Sequence, residues 1–450
     1  EELEPYYTKV ERLIGVYGTN EGLENTPDSP KGVLQAPPKG RVGDLMIQKH
    51  AKKLGVPVVP IHRAVLTEPQ NGKDLAPKLH PDNPKAQKIV EESMSSRAAC
   101  FWATECGRGC SIRANYQSTT VHIPPADATG NLDIIADAHV REVIVGKDGK
   151  AKGVLFIDKT TGKEERVKGK AVVLAASSGE TVRILLNSAS GKGISNSSGL
   201  VGKYIMDTVG SDMSGQIPAL ENLPAHNDDG AGGCHFYSPW WLYKEQKAGK
   251  MDFARGYHIE ISGTRGMPKG NNPVPGHVLQ GLYGTELKEA ARRYYGSFIH
   301  IACRGEMIPN EGSFAELDPE VKDKWGIPVM KWHWKWSDHE WNMAVHAQKT
   351  FAEIFESAGG KGLFDPKRDP KKTLLKGGQV IHEVGGAIMG ADSKKSVCNQ
   401  WNQTWDIKNL LLCDGAPFAS NADKNPTETI MALAWRAADR LIEQARKGNL

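Results

Sequence analysis

The chain of 450 residues has a formal net charge of +4, with 39% hydrophobic and 24% charged residues, a composition typical of a globular protein. The small net charge argues against a dedicated nucleic-acid binder, which would concentrate lysine and arginine on one surface. No run of eighteen apolar residues occurs, so the sequence predicts no transmembrane helix in this chain.

The first part of the chain predicts helices and loops, followed by a run of strands. Apolar residues recur at helical spacing within residues 1–18, and they begin so abruptly that we expect further residues before Glu1 in the natural protein. Residues 43–55 predict a second helix, whereas residues 65–90 are polar and proline-rich and predict a surface loop. Polar and apolar residues then alternate around the turns "KDGK" and "KTTGK", which is typical of a β-meander.

The rest of the chain predicts one α/β domain interrupted by another. The apolar runs in "KAVVLAAS" and "NLLLCDG" each predict a buried parallel strand. Residues 206–380 hold most of the tryptophans, short mixed strands and a long amphipathic helix with Ser337 as its N-cap. We therefore predict that residues 111–205 and 381–450 form one α/β domain, with residues 206–380 inserted as a second domain that has a mixed or antiparallel sheet.

The tail places polar residues where an α/β sheet binds ligands. Asp414-Gly415 stands where a buried strand gives way to a loop, the usual ligand edge of such a sheet. Asn425-Pro426-Thr427 then begins a helix, whose free N–H groups would favour partial negative charge on a bound ligand. An ordinary N-cap with proline in the first turn explains the same three residues, so this feature alone leaves both interpretations open.

Four segments of the tail occur in a characteristic order. They are "HEVGGAIMG" from His382, "SVCN" from Ser396, "NLLLCDGAPF" from Asn409 and "NPTETIMALAWRAADRL" from Asn425. Together they resemble the C-terminal signature of the glucose–methanol–choline (GMC) oxidoreductases, FAD enzymes that oxidise alcohols. The segments "GCSIRANYQSTTVHIPPADATGNLDIIADAHVREVIV" and "KAVVLAASSGETVRILLNS" are similar to upstream blocks of that family.

The resemblance implies a Rossmann-like FAD-binding domain built from the two discontinuous segments 111–205 and 381–450. Residues 206–380 would then bind substrate, and residues 1–110 would form the periphery and lid of the FAD domain. The family's GxGxxG fingerprint for the FAD pyrophosphate does not follow any predicted strand here. We expect that a longer natural protein or a separate polypeptide supplies this segment, and that the chain as given does not hold FAD tightly by itself.

The resemblance also assigns roles to individual residues. His382 would take the hydroxyl proton while hydride leaves for flavin N5, and Asn425 would hold the substrate oxygen. A buried structural histidine is the alternative for His382. The implied cofactor-binding residues are Val140 near the adenine, Ala175 and Ala176 beside the ADP portion, Asp414 and Gly415 near the ribityl and pyrophosphate groups, and Pro426 and Thr427 at the helix N-terminus beside the flavin. Ser177 departs from the family's usual glycine.

Three cysteines, Cys100, Cys106 and Cys110, lie within eleven residues. Three thiolates on one loop suit an iron–sulfur cluster of the three-iron (3Fe-4S) type, or a four-iron (4Fe-4S) cluster with a remote fourth ligand. The segment is similar to that of some bacterial sugar dehydrogenases of the GMC family, which carry a three-iron cluster in this region. Three buried free cysteines kept for packing are the alternative.

The resemblance therefore predicts an FAD-dependent dehydrogenase that oxidises a sugar or polyol hydroxyl and passes the electrons to an external acceptor, through the cluster if the cysteines hold one. The cysteine segment favours bacterial glucoside and gluconate dehydrogenase flavoprotein subunits over fungal oxidases. That implies a cytochrome c acceptor, a small chaperone-like subunit and a location in the periplasm or at the inner membrane. An oxygen-using oxidase of the same family and a non-catalytic, cluster-bearing electron-transfer subunit are the alternatives.

Overall fold

The computed structural model describes residues 2–94, 97–102, 106, 109–224, 235–263, 274–363 and 374–449. The helices in these ranges are α1 (Glu4–Ile14), α2 (Val42–Lys53), α3 (Gly72–Leu79), α4 (Pro84–Met94), α5 (Ser118–Val121), α6 (Ile123–Asp127), α7 (Ser178–Gly191), α8 (Tyr243–Lys247), α9 (Gly276–Leu279), α10 (Gly284–Tyr294), α11 (Asp338–Ser357) and α12 (Thr427–Arg446). The strands are β1 (Val59–Pro60), β2 (Ala138–Val145), β3 (Ala151–Asp158), β4 (Glu164–Lys168), β5 (Val172–Leu174), β6 (Val209–Gln216), β7 (Phe236–Ser238), β8 (Tyr257–Ser262), β9 (Phe298–Gly305), β10 (Phe314–Lys322), β11 (Pro328–His333), β12 (Lys361–Gly362) and β13 (Leu410–Leu412).

The largest sheet has six strands in the order β1-β7-β8-β9-β6-β12, and every neighbouring pair is antiparallel. Successive residues of a strand point to opposite faces, so this sheet has two chemically separate sides. One side packs against α2 and α11, where Ile259, Ile301 and Phe351 are almost fully buried. The predicted N-cap of α11 is confirmed, because the Ser337 hydroxyl accepts an N–H of the first turn and Glu340 completes a capping box.

Two smaller sheets lie around a second core. Strands β2, β3 and β4 form the predicted antiparallel meander, and β5 pairs with β13 in parallel, with Val172 opposite Leu410. Helix α7 follows β5 and contributes Val182 and Leu185 to the same core. The mixed α/β class is therefore confirmed, and the parallel pairing of β5 with β13 brings two segments that are far apart in sequence side by side.

The prediction of a surface loop over residues 65–90 was wrong. This segment contains α3 and the first part of α4, which pack together through Leu75, Leu79, Val90 and Met94. Each helix thus places two apolar residues four positions apart on one face. One proline begins α4 and another lies inside α3, and these prolines obscured a helical pattern that is only two or three turns long.

The N-terminal segment contributes to the six-stranded sheet. Strand β1 pairs with β7, and α2 places Ile47 and Ala51 in the core beneath the sheet. Residues 42–60 therefore pack with the segment that was predicted to bind substrate. Every helix in the described ranges falls short of the length or the apolar character that a membrane-spanning helix needs.

Candidate active site

His382 is held in place through its backbone. Its N–H donates to Oδ1 of Asp207 at 3.0 Å. The same buried carboxylate accepts the N–H groups of Thr208 at 2.8 Å, Gly378 at 2.9 Å and Val380 at 3.3 Å. Burial raises the pKa of Asp207, and these four N–H donors oppose that shift. The carboxylate thus fixes the segment that leads into His382 against the start of β6.

The imidazole of His382 lies between two side chains. Nδ1 is 3.0 Å from Oγ1 of Thr208, and Nε2 is 3.2 Å from Nδ2 of Asn425. Burial lowers the pKa of His382, and the negative charge of Asp207 reverses only part of this shift. The lowered pKa favours the neutral ring, and the tautomer that donates from Nδ1 to Thr208 leaves Nε2 as an acceptor. The structure brings together the two residues predicted to be catalytic.

Helix α12 begins beside this ring without a side-chain cap. Pro426 occupies the N-cap position, and the neighbouring Asn425 and Thr427 are exposed. The first-turn N–H groups of an α-helix have no partner within the helix and carry the positive end of its dipole. They are therefore suited to a partial negative charge on a bound ring. This geometry fits the flavin position implied for Pro426 and Thr427, whose roles stay predictions.

A carboxyl group in the first turn of α12 has an altered acidity. Burial, followed by the charge of Glu11, raises the pKa of Glu428 to about 7. The hydroxyl of Tyr7 on α1 lies 2.5 Å from Oγ1 of Thr429 and joins the two helices at this point. Because Glu428 is partly protonated at neutral pH, it repels an anionic group at the helix start less than a fixed charge would.

The end of β5 is open to solvent. Ala175 and Ala176 follow β5, whose central residue Val173 is exposed, and they are exposed themselves. Ser177 has a φ of 76°, a left-handed conformation that glycine adopts more easily, so the serine retains the backbone path that the usual glycine would take. Val140 on β2 is half-buried against the core that contains β5. The exposed backbone fits a cofactor edge, and the contacts of Val140, Ala175 and Ala176 with FAD stay predictions.

Asp414 and Gly415 connect β13 to its neighbours. Asp414 is buried, and its carboxylate accepts the hydroxyl of Thr181 and the N–H of Ala416 at 2.8 Å. Burial raises its pKa. The Gly415 carbonyl accepts the N–H of Gly385 at 2.9 Å. Both residues thus hold β13 against α7 and against the turn after His382, while their contact with a cofactor stays a prediction.

Gly385 and Gly386, which follow His382, allow the backbone to pack closely against residues 204–206. A Cβ on Gly385 would lie 2.2 Å from the carbonyl oxygen of Tyr204, and a Cβ on Gly386 would lie 2.5 Å from Cδ1 of Ile205. Both glycines also have positive φ, at 85° and 88°. The turn therefore lets the chain pass directly against residues 204–206, which precede Asp207, and so sets the position of His382.

The predicted cysteine ligands are half-buried. The Sγ of Cys100 accepts the N–H of Trp102 at 3.4 Å, and the Sγ of Cys110 accepts the N–H of Asn115 at 3.5 Å. Burial raises the pKa of Cys106, which also lies within electrostatic reach of the other two thiols. In the part of the chain that the structure describes, no three histidine, cysteine or acidic side chains are arranged to hold a metal ion. The cluster predicted from the sequence is therefore not shown.

The sequence did not identify Asp207 and Thr208 as site residues. They stand in "YIMDTVG", where two polar residues interrupt an apolar run, and both are almost fully buried. Buried polar residues inside an apolar run must find hydrogen-bond partners, and that requirement is the signal that could have identified them.

Comparisons with known proteins identify the class. Models described as GMC oxidoreductase match residues 1–212 and residues 309–434. A formate oxidase variant of Aspergillus oryzae RIB40, studied for FAD modification, has a TM-score of 0.53 at 13% identity over 74% of this chain. This likeness shows the fold alone, and the chain spans only 64% of that oxidase. The fold and the family models define an oxidoreductase.

Curated relatives match nearly the whole chain. The 2-methyl-1,2-propanediol dehydrogenase of Mycolicibacterium austroafricanum is 28% identical, covering 98% of this chain and 73% of that protein. The fructose dehydrogenase large subunit of Gluconobacter japonicus is also 28% identical, with 100% and 74% covered. The gluconate 2-dehydrogenase flavoprotein of Pantoea cypripedii is 24% identical, with 99% and 71% covered. This chain belongs to the GMC oxidoreductase family, as the tail motifs predicted.

Proposed function

We propose that this protein oxidises a hydroxyl group of a sugar or polyol in an FAD-dependent reaction and that His382 is the base. The observation that carries the proposal is the half-buried imidazole of His382, held between Thr208 and Asn425 at the start of α12. The substrate class is supported by the relatives, which are named as dehydrogenases of a diol, a sugar and a sugar acid.

The substrate hydroxyl binds where Nε2 of His382 and Nδ2 of Asn425 meet. Asn425 donates a hydrogen bond to the substrate oxygen and orients it, while Nε2 accepts the hydroxyl proton. Thr208 keeps the ring in the tautomer that leaves Nε2 free to accept. The imidazolium formed in this step lies near the carboxylate of Asp207, whose negative charge stabilises it.

The residues present fit FAD at two places. The uncapped start of α12, with Pro426 and Thr427, would receive the flavin ring, and the exposed backbone of Ala175 and Ala176 would lie along the ADP portion. Val140 packs against the α/β core, and Asp414 and Gly415 follow β13 directly. Bound FAD supplies the hydride acceptor that alcohol oxidation requires.

Anaerobic mixing of the flavin-loaded protein with fructose, glucitol, gluconate and 2-methyl-1,2-propanediol tests the proposal. Bleaching of the flavin absorbance by at least one compound, with formation of the carbonyl product, is the expected result. A flavin that dithionite reduces but that none of these compounds reduces would contradict it. Reoxidation by dissolved oxygen as fast as by a one-electron acceptor would favour the oxidase alternative.

We also propose that Cys100, Cys106 and Cys110 bind an iron–sulfur cluster. The thiols and the N–H donors to two of their sulfurs suit cluster ligands, but the sulfurs do not form a metal site in this structure. A cytochrome c acceptor, a small chaperone-like subunit and a location in the periplasm or at the inner membrane belong to the same proposal and rest on the sequence resemblance.

Iron analysis and electron paramagnetic resonance of anaerobically purified protein test the cluster. We expect iron in the wild type and its loss in Cys106→Ser, with flavin reduction by substrate unchanged. Cys398→Ser is the control, since that cysteine is buried elsewhere in the fold. An iron content near zero in the wild type would remove the cluster and favour three packing cysteines.

A further inference from the structure

The side of the six-stranded sheet that faces away from α11 is polar. In β6, β9 and β8, three adjacent interior strands of the sheet, residues directly opposite each other share a face. One row across these strands is Gly210, Arg304 and His258, and the next row is Asp212, Ala302 and Glu260. Charged side chains therefore surround one glycine and one alanine at the middle of this face.

The segment that leads to His382 crosses this polar face. A Cβ on Gly210 would lie 2.6 Å from Val380 and 2.8 Å from Leu375, so this segment covers the sheet at Gly210, directly beside Arg304. The Leu375 N–H also donates to the Gly210 carbonyl at 2.8 Å. The ring of His382, two residues beyond Val380, then bonds to Thr208 just before β6 begins. His382 and Arg304 therefore lie on the same side of the sheet.

The basic and acidic side chains on this face contact one another in a chain. Arg304 Nη2 lies 3.2 Å from Oε2 of Glu260, and His258 lies 3.6 Å from both Glu260 and Asp423. Asp423 in turn contacts Nζ of Lys424 at 2.6 Å. Arg304 and Lys424 thus each contact a carboxylate, and His258 lies between the same two carboxylates. An anionic substrate would have to displace one of these carboxylates. A neutral hydroxyl group can instead accept from the guanidinium and donate to a carboxylate.

The groups needed to hold such hydroxyls are accessible. The side chains of Arg304 and Glu260 keep 22% and 20% of their surface exposed, and Asp212 is exposed. Asp212 and Glu260 flank Ala302 from its two neighbouring strands, which places their backbones about 10 Å apart. That spacing suits a chain of a few carbons carrying several hydroxyls, bound between the two carboxylates.

We propose that Glu260, Arg304 and Asp212 form a subsite for the hydroxyl groups that neighbour the oxidised carbon, and that this subsite selects neutral polyols or sugars over sugar acids. The inference rests on the proposed function, since it takes His382 as the reacting centre. These three residues determine specificity, and Arg304 and Glu260 present a donor and an acceptor side by side.

Anaerobic flavin reduction with three small probes tests the subsite in the flavin-loaded protein. 1-Propanol has no hydroxyl beside the one that is oxidised, whereas glycerol has further hydroxyls on the neighbouring carbons. Glycerate has the same three-carbon skeleton as glycerol but carries a carboxylate. We expect the wild type to bind glycerol more tightly than glycerate. Glu260→Gln and Arg304→Gln should weaken glycerol binding by about tenfold or more. Both variants should lose much less affinity for 1-propanol, because 1-propanol has no neighbouring hydroxyl for the subsite to bind.

Asp212→Asn tests the third residue of the subsite, and its exposed side chain can be changed without disturbing the core. Glu165→Gln on β4 is the matched control for the loss of an exposed carboxylate. Equal losses with glycerol and 1-propanol in the Glu260, Arg304 and Asp212 variants would overturn the subsite. So would tighter binding of glycerate than glycerol by the wild type. If no alcohol reduces the wild-type flavin, the proposed function itself fails before any variant is compared.

Discussion

The two faces of the six-stranded sheet are built from the same strands but differ in chemistry: one is apolar and buried, and the other is polar. On β8 and β9, Ile259 and Ile301 face α11 and are almost fully buried, whereas Glu260 and Arg304 face the side on which His382 lies. Side chains alternate between faces along a strand, so neighbouring residues can serve stability and recognition separately. Substitutions on the apolar face should therefore change unfolding, and substitutions on the polar side should change reactivity.

The largest expected effect lies on the polar side. Replacing His382 with Ala should lower turnover by roughly 10²–10⁴, the usual contribution of a positioned general base. The free energy of unfolding and the flavin content should stay close to those of the wild type, because the backbone bond to Asp207 remains. Stopped-flow flavin reduction and urea unfolding measure the two quantities. A normal rate of flavin reduction would show that another group takes the proton.

The matching experiment on the apolar face is Ile301→Ala. Its side chain is fully buried in the core beneath β9, and truncation should cost about 2–5 kcal/mol of unfolding free energy. Below the unfolding transition, substrate affinity and flavin reduction should remain as in the wild type. The control is Val321→Ala on β10, whose side chain is about half exposed. If Ile301→Ala changed substrate affinity strongly without lowering the free energy of unfolding, the two faces would not have separate roles.

The pH dependence sharpens the assignment of His382. The base must be neutral to accept a proton, and burial lowers its pKa from the ordinary value of 6.5. The value of kcat/KM should therefore be constant near neutral pH and should fall about tenfold per pH unit below that lowered pKa. Flavin reduction measured from pH 4.5 to about 8 checks this. An acid inflection above 6.5 would mean that His382 is not the group that titrates.

The smallest expected effect concerns the partner of the imidazole. Thr208→Val removes the hydroxyl that meets Nδ1 while keeping the shape of the side chain. Losing one neutral hydrogen bond costs about 1 kcal/mol, so we expect about a fivefold lower rate of flavin reduction. Thr160→Val, in an exposed turn, controls for the substitution itself. An unchanged rate would show that Thr208 does not set the orientation of the ring.

Local patterns predicted the parts of the fold that depend on neighbouring residues. The meander from β2 to β4, the strand β5 and the Ser337 cap of α11 follow from alternation, apolar runs and capping chemistry. The helices α3 and α4 were missed because prolines interrupt short apolar patterns.

The pairing of His382 with Asn425 was expected from the family motifs. The polar face was not, because the rows that join Arg304 to Glu260 and Asp212 depend on the register between strands distant in sequence. If one strand shifted by one residue, each of its side chains would turn to the other face of the sheet. Local sequence patterns do not predict the register between these strands.

The parallel pairing of β5 with β13 has a consequence for how the chain acquires its fold during synthesis. Val172 leaves the ribosome long before Leu410, its partner in the pair, has been made. Until then β5 has no β13 to pair with, and the apolar residues that pack against it lack part of their cover. Contacts between such distant residues are slow to form because a long loop must close first. We therefore expect the core around α7 to fold late. Until β13 has been synthesised, this core is also the part of the molecule most prone to aggregation.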